Sequence, residues 1–74
     1  MREDVNRLVT ENPYVLQMHG FFLDKETKMI RFDIVVSFDA KDRKEVYREV
    51  SEKVQKAYPD YTLQIAMDID FSDI

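Results

Sequence analysis

The sequence predicts an α+β domain in which two helices cover one face of a three-stranded mixed sheet. Three observations favour this class. Apolar residues recur at helical spacing in two segments, apolar and polar residues alternate in three others, and the order along the chain is α-β-β-α-β. With 74 residues and no cysteine, the chain is expected to form one domain, residues 1–74, near the lower size limit for folding without a partner.

The first helix is predicted at residues 2–12. Val5, Leu8 and Val9 recur there at helical spacing and give the helix one apolar stripe. Pro13 ends the helix, because the residue before a proline is pushed out of the α region. The chain therefore starts with a short amphipathic helix that needs a surface to cover.

Two strands are predicted next, at residues 14–23 and 29–38. The second strand has the clearer alternation of apolar and polar side chains. The loop that joins the strands is assigned to residues 24–28, which places its midpoint close to Glu26. A loop this short makes the two strands an antiparallel hairpin.

The second helix is predicted at residues 40–57, with Asp39 as its N-cap. Tyr58-Pro59-Asp60 ends it, and a third alternating strand is predicted at residues 61–70. A strand–helix–strand crossover within one sheet is right-handed and makes its two strands parallel. The predicted fold therefore looks like a ferredoxin-type split βαβ fold that has lost its first strand.

The alternation along the strands assigns each side chain to one of the two sheet faces. The face under the helices is expected to hold the core, with Leu16, Met18, Phe22, Phe32, Ile34, Val36, Ile65, Met67 and Ile69. The other face, called the open face below, is expected to carry Val15, Gln17, His19, Phe21, Leu23, Arg31, Asp33, Val35, Gln64, Ala66, Asp68 and Asp70. Its mixture of apolar and charged side chains is typical of an interface. We therefore expect a homodimer to form through this face, with Val15, Phe21 and Val35 among the contacts.

The open face also holds the candidate metal ligands. Counting outward from the loop midpoint places His19, the only histidine, opposite Asp33, and Asp68 falls on the same face. An imidazole and carboxylates are suitable ligands for zinc, manganese, iron or cobalt. The same residues have two plainer interpretations: a pH-sensitive ion pair, or polar side chains of an interface.

Composition and charge exclude several other functions. The net charge of −4 argues against nucleic-acid binding, which needs a basic surface. No apolar run approaches the roughly 20 residues needed to cross a bilayer, and no signal peptide is visible, so direct membrane insertion is not expected. Asp68 and Asp70 share a face, but no cleft or nucleophile accompanies them in the sequence. We therefore expect no enzymatic activity.

Four segments carry a family resemblance. They are Tyr14–Leu23 with its histidine, Ile30–Val36 with its aspartate, the helix end Ala57-Tyr58-Pro59-Asp60, and the strand Leu63–Asp68. Their order and spacing resemble the cytoplasmic C-terminal domain of cation diffusion facilitator transporters. The resemblance covers about residues 3–70. It implies a metallochaperone-like domain that dimerises below a membrane transporter and binds zinc or related divalent cations at or near the dimer interface.

The resemblance also implies a set of ligands. His19 matches the first-strand histidine ligand of the family, and Asp68 matches the last-strand aspartate. Asp33 falls where many members have a second-strand histidine. Ala66 falls where a further histidine is common, so that ligand is absent. The implied site is rich in oxygen and short of ligands, which favours weak binding, or harder cations such as manganese or iron.

The expected function is therefore that of a dimerisation and cation-sensing domain of a divalent-cation efflux transporter. It would lie at the cytoplasmic face of the cell membrane, joined to the transmembrane domain of the same full-length chain. The bound cation would be zinc, manganese or iron. The alternative is a homodimerisation module that binds no metal. A free metallochaperone is a weaker candidate, because copper(I) prefers the thiolates that this sequence lacks.

Overall fold

The helices and strands follow the predicted order, which confirms the α+β class. The computed structural model describes residues 1–70 of the chain. Its elements are α1 (Arg2–Thr10), β1 (Val15–Asp24), β2 (Met29–Ser37), α2 (Arg43–Ala57) and β3 (Thr62–Asp70). The ends of the three strands lie within one residue of the prediction.

The sheet has the order β1-β2-β3, so β2 is the central strand. β1 pairs with it in antiparallel fashion, as expected for a hairpin. β3 pairs with it in parallel fashion, after the crossover through α2. The mixed three-stranded sheet predicted from the sequence is therefore confirmed.

The core lies between β2 and the two helices. Every second side chain of β2 is fully buried: Ile30, Phe32, Ile34 and Val36. Valines of both helices cover them: Val5, Val9, Val46, Val50 and Val54. Burying one side chain of this kind contributes about 1.5–3 kcal/mol. This layer is therefore the main source of stability. Both helices of the described residues lie on this side of the sheet, so neither covers the open face.

The N-terminus of α2 differs from the prediction. Asp42 is the N-cap, and its Oδ1 accepts the backbone N–H of Glu45 at 3.1 Å. The assignment of Asp39 as N-cap was wrong, because the helix is preceded by a turn. In this turn the N–H of Ala40 donates to the carbonyl of Ser37. The chain completes this turn before α2 begins.

The register of β1 against β2 is interrupted twice. β1 has one residue more than β2 between the pairs Val15–Val36 and Gln17–Val35, and again between His19–Asp33 and Phe22–Arg31. Each extra residue is a β-bulge, and a bulge reverses the face on which the following side chains lie. Simple alternation therefore assigns several side chains of β1 to the wrong face.

Five bulky side chains of β1 change places as a result. Val15 is buried and Phe21 packs against the core, so their prediction as open-face contacts was wrong. Leu16 and Phe22, expected in the core, are 49% and 53% exposed. Leu23 also packs against the core and not on the open face. For β2 and β3 the predicted faces hold wherever the side chains are described; those of Ile69 and Asp70 lie outside the described residues.

Candidate functional site

The open face brings His19 and Asp33 together. They are directly paired across β1 and β2, and facing residues of an antiparallel pair have Cβ atoms about 4.5–5.5 Å apart. The His19 side chain is exposed, whereas the Asp33 carboxylate is half-buried at the centre of the sheet. One imidazole and one carboxylate therefore face solvent side by side, as the sequence predicted.

Gly20 makes this pairing possible. The hairpin closes at the pair Asp24–Met29, so the true midpoint lies slightly later than the predicted one. Without a bulge, counting from that midpoint would place His19 opposite Ile34, on the buried row of β2. The bulge beside Gly20 returns His19 to the open face. The predicted pairing was right only because two errors cancelled: the loop midpoint was placed too early, and the bulge was not foreseen.

The backbone of Gly20 has features that only glycine accepts without strain. Its φ angle is +60°, in the left-handed region that costs other residues about 1–2 kcal/mol. A Cβ atom at this position would lie 3.3 Å from Oδ2 of Asp33. The Asp33 carboxylate therefore lies over the glycine, next to His19.

The third predicted ligand, Asp68, lies further along the sheet. It is exposed on β3 and pairs with Val35, whereas the residue of β3 that pairs with Asp33 is Ala66. The row through the histidine therefore reads His19–Asp33–Ala66. Within the described part of the chain, no group of three histidine, aspartate or glutamate side chains is placed so that it could hold a metal ion.

Apolar side chains lie beside this row. Leu16 and Phe22 are the large exposed ones, and the half-buried Val35 lies between the two on β2. Of the three predicted contacts, only Val35 remains on the open face. The sequence did contain the signal for Phe22, because an isolated glycine within a strand pattern marks a bulge.

The loop end of the hairpin is held by Asp24. Its Oδ1 accepts the N–H groups of Glu26 and Thr27 at 2.9 and 3.2 Å. The bonds from Thr27 are the main reason that the pKa of Asp24 is lowered from its ordinary value. This turn fixes the hairpin end and thereby the register of the pairs nearest to it.

A second polar cluster surrounds Asn12, a buried residue that the sequence analysis missed. Its amide donates to Glu49 Oε2 at 3.2 Å, and its Oδ1 accepts the N–H of Tyr14 at 2.8 Å. A cavity of about 200 Å³ opens beside it. Two of the acids around the cavity already have internal partners, since Asp42 caps α2 and Glu45 pairs with Arg48. This cluster braces α1 against α2.

Neither a scan against protein-family models nor a search of curated proteins found a match for this chain. Among the described residues, no helix is both long and apolar enough to pass through a bilayer.

Proposed function

We propose that this chain is the dimerisation and cation-sensing domain of a divalent-cation efflux transporter. In this proposal it lies at the cytoplasmic face of the membrane, joined to the transmembrane domain of the same full-length chain. The α-β-β-α-β order supports the proposal, because it is the order that the resembled transporter family implies. The single observation that carries it is the direct pairing of His19 with Asp33 on a sheet face that neither α1 nor α2 covers.

The proposed site is completed by a second copy of the chain. Each copy contributes one imidazole nitrogen and one carboxylate from the paired residues. Two copies joined across a two-fold axis through their open faces would bring two such pairs together. Four ligands of this kind match the four-coordinate preference of zinc. Cation binding and dimerisation are then a single linked equilibrium.

The cation in this proposal is zinc, manganese or iron. Imidazole suits zinc and iron, whereas carboxylate oxygen suits harder cations such as manganese. Asp68 pairs with Val35 and not with Asp33, and within one copy it does not join His19 and Asp33 in a group that could hold a metal ion. In this proposal it would add an oxygen ligand only from the second copy. An imidazole binds a cation through an unprotonated ring nitrogen.

Sensing follows from differential affinity. A cation shared by two copies stabilises the arrangement in which both pairs reach it, and it shifts the equilibrium only by its preference for that arrangement. Exposed Leu16 and Phe22 supply apolar contact in this dimer. Metal occupancy would therefore change the angle between the copies, and with it the arrangement of the transmembrane part.

Isothermal titration with zinc, manganese and ferrous iron tests the cation site. We expect heats of binding for the wild type that are lost in His19→Ala and reduced in Asp33→Asn. Asp60→Asn is the matched control, since this exposed carboxylate precedes β3 and lies outside the sheet. Equal heats for the wild type and His19→Ala would remove the histidine from any site and contradict the proposal.

The second candidate is a homodimerisation module without metal. It is favoured by Ala66, which stands beside the His19–Asp33 pair and offers no ligand atom, and by the exposed Phe22. In this case Phe22→Ser would abolish a dimer that chelators leave intact. Sedimentation with and without a chelator decides between the two candidates.

A further inference from the structure

The two edges of the sheet are built differently. β1 carries two bulges and a left-handed glycine, and such irregularities are a common protection against pairing with another strand. β3 pairs with β2 in an uninterrupted register from Thr62 to Asp70. No charged residue or proline occurs from Tyr61 to Met67. Within residues 1–70, the edge at β3 therefore has, from Tyr61 to Met67, neither the bulges nor the charged side chains that usually protect an edge strand.

The backbone groups at this edge can be assigned. The N–H of Thr62 donates to the carbonyl of Lys28 at 2.8 Å, toward β2. Because the direction alternates along a strand, the N–H and C=O groups of Leu63, Ile65 and Met67 point away from the sheet. These groups form the regular ladder that another strand would need.

The side chains of the same three residues lie on the face that carries the helices, and their cover is incomplete. Leu63, Ile65 and Met67 pack against the core but are only partly buried. A groove of about 360 Å³ separates β3 from α2, and Tyr47, which lines it, is 40% exposed. The groove can accept apolar side chains from a strand added at the edge.

We infer that the edge of β3 pairs with β3 of a second copy of this chain, in antiparallel orientation, with Ile65 opposite Ile65 of the second copy. In this register Leu63 lies opposite Met67 of the second copy, so the outward backbone groups meet outward backbone groups. Apolar side chains of β3 then meet across the join, and the two grooves, which Ser51, Glu52 and Gln55 also line, lie on the same side of the sheet.

A second copy fits this edge better than a charged peptide does. The edge has no charge from Tyr61 to Met67 with which to select a basic or an acidic strand. Its alternation of apolar and polar side chains matches the same alternation in β3 of a second copy. Asp68 would lie opposite the hydroxyl of Thr62 of the second copy, which can donate to it. The first acid of β3 thus meets a donor and not another acid.

This contact is separate from the dimer of the proposed function. It uses the backbone edge and the helix-covered side of β3, and it leaves both open faces on one side of a six-stranded sheet. Either contact can therefore be lost while the other persists. The inference does not depend on any metal.

Disulfide trapping tests the register, because the chain has no cysteine of its own. Paired residues at this position have Cα atoms about 5.5 Å apart, within the range that a disulfide spans. We expect mild oxidation to convert Ile65→Cys to a covalent dimer. Met67→Cys, on the same face of the same strand, is the matched control, because the two copies of that position lie roughly 14 Å apart along the strands. A mixture of Leu63→Cys and Met67→Cys should give the heterodimer.

Cross-linking of Ile65→Cys and Met67→Cys to the same extent, or of neither, would overturn the inference. Amide hydrogen exchange of the wild type avoids substitution in case a variant does not fold. Exchange at Leu63, Ile65 and Met67 should slow as protein concentration rises, whereas Gln64 and Ala66 stay protected throughout by β2. Exchange at the three outward amides that is independent of concentration would also overturn it. Neither result changes the heats of cation binding that the proposed function predicts.

Discussion

The two faces of the sheet differ in composition and in burial. The helix-covered face is apolar along the whole of β2, with Phe32 at its centre fully buried. The open face combines the exposed Phe22 with the His19–Asp33 pair. The first face accounts for stability by burial, and the second carries the side chains of the proposed site. Substitutions on the two faces should therefore have different consequences.

The largest effect should come from truncating a phenylalanine on the covered face. We expect Phe32→Ala to lower the free energy of unfolding by about 3–5 kcal/mol, because it leaves a cavity in the core. Phe22→Ala, its matched counterpart on the open face, should change the stability of the monomer by less than about 0.5 kcal/mol. Urea denaturation of both variants at low protein concentration measures the difference. Equal losses would mean that the two faces are not distinct.

The next effect should come from the glycine that sets the histidine on the open face. Gly20→Ala should destabilise the fold by about 1–2 kcal/mol, because alanine at a φ of +60° is strained. The new Cβ atom would also approach Oδ2 of Asp33, so the His19–Asp33 pair should be disturbed. Thermal unfolding measures the first effect, and the shift of the His19 ring resonances on metal addition measures the second. An unchanged melting temperature would count against the bulge.

A smaller effect should come from the cap of α2, which holds the covered face in place. Asp42→Ala should cost about 1 kcal/mol, since the N–H of Glu45 loses its acceptor. Asp39→Ala is the matched control and should leave the stability nearly unchanged, because this side chain does not cap the helix. Equal losses in thermal unfolding would restore the N-terminus predicted from the sequence.

The smallest effects should appear at the extremes of pH. Tyr58 contributes stability that is lost at alkaline pH, and Asp24 contributes stability that is lost at acid pH. The pKa of Tyr58 is raised from 10.0 by burial and also by Asp4, whose carboxylate accepts a hydrogen bond from the Tyr58 hydroxyl. Its contribution is therefore complete below pH 10.0 and is lost as the pH rises through the higher folded-state value. Tyr58→Phe should flatten this alkaline loss in a series of melting curves.

The acid side reports on the hairpin. Hydrogen bonds from Thr27 lower the pKa of Asp24 below its ordinary value of 3.8. Its contribution is present above pH 3.8 and is lost as the pH falls through the lower folded-state value. Asp24→Ala should remove that part of the acid transition. A transition that is identical in wild type and variant would show that the Asp24 turn does not stabilise the hairpin.

The sequence was sufficient for the fold but only partly for the site. The alternation along β2 placed Phe32, Ile34 and Val36 correctly in the core, since a central strand under two helices has a strict period of two. The bulges of β1 escaped the same reasoning, because one extra residue reverses the faces without changing composition. Val15 and Phe21 were therefore misplaced. The cap at Asp42 escaped because Asp39 has the same chemistry, and only the intervening turn distinguishes them.

The most direct test of the central claim measures dimerisation and cation binding together. Sedimentation equilibrium of the wild type, with and without zinc, should show a dimer that is tightened by the metal, with one zinc bound per two chains. A ligand that binds only the dimer shifts this equilibrium in proportion to its occupancy. In His19→Ala the dissociation constant should no longer respond to zinc. A wild-type dissociation constant that is the same with and without zinc would contradict the account.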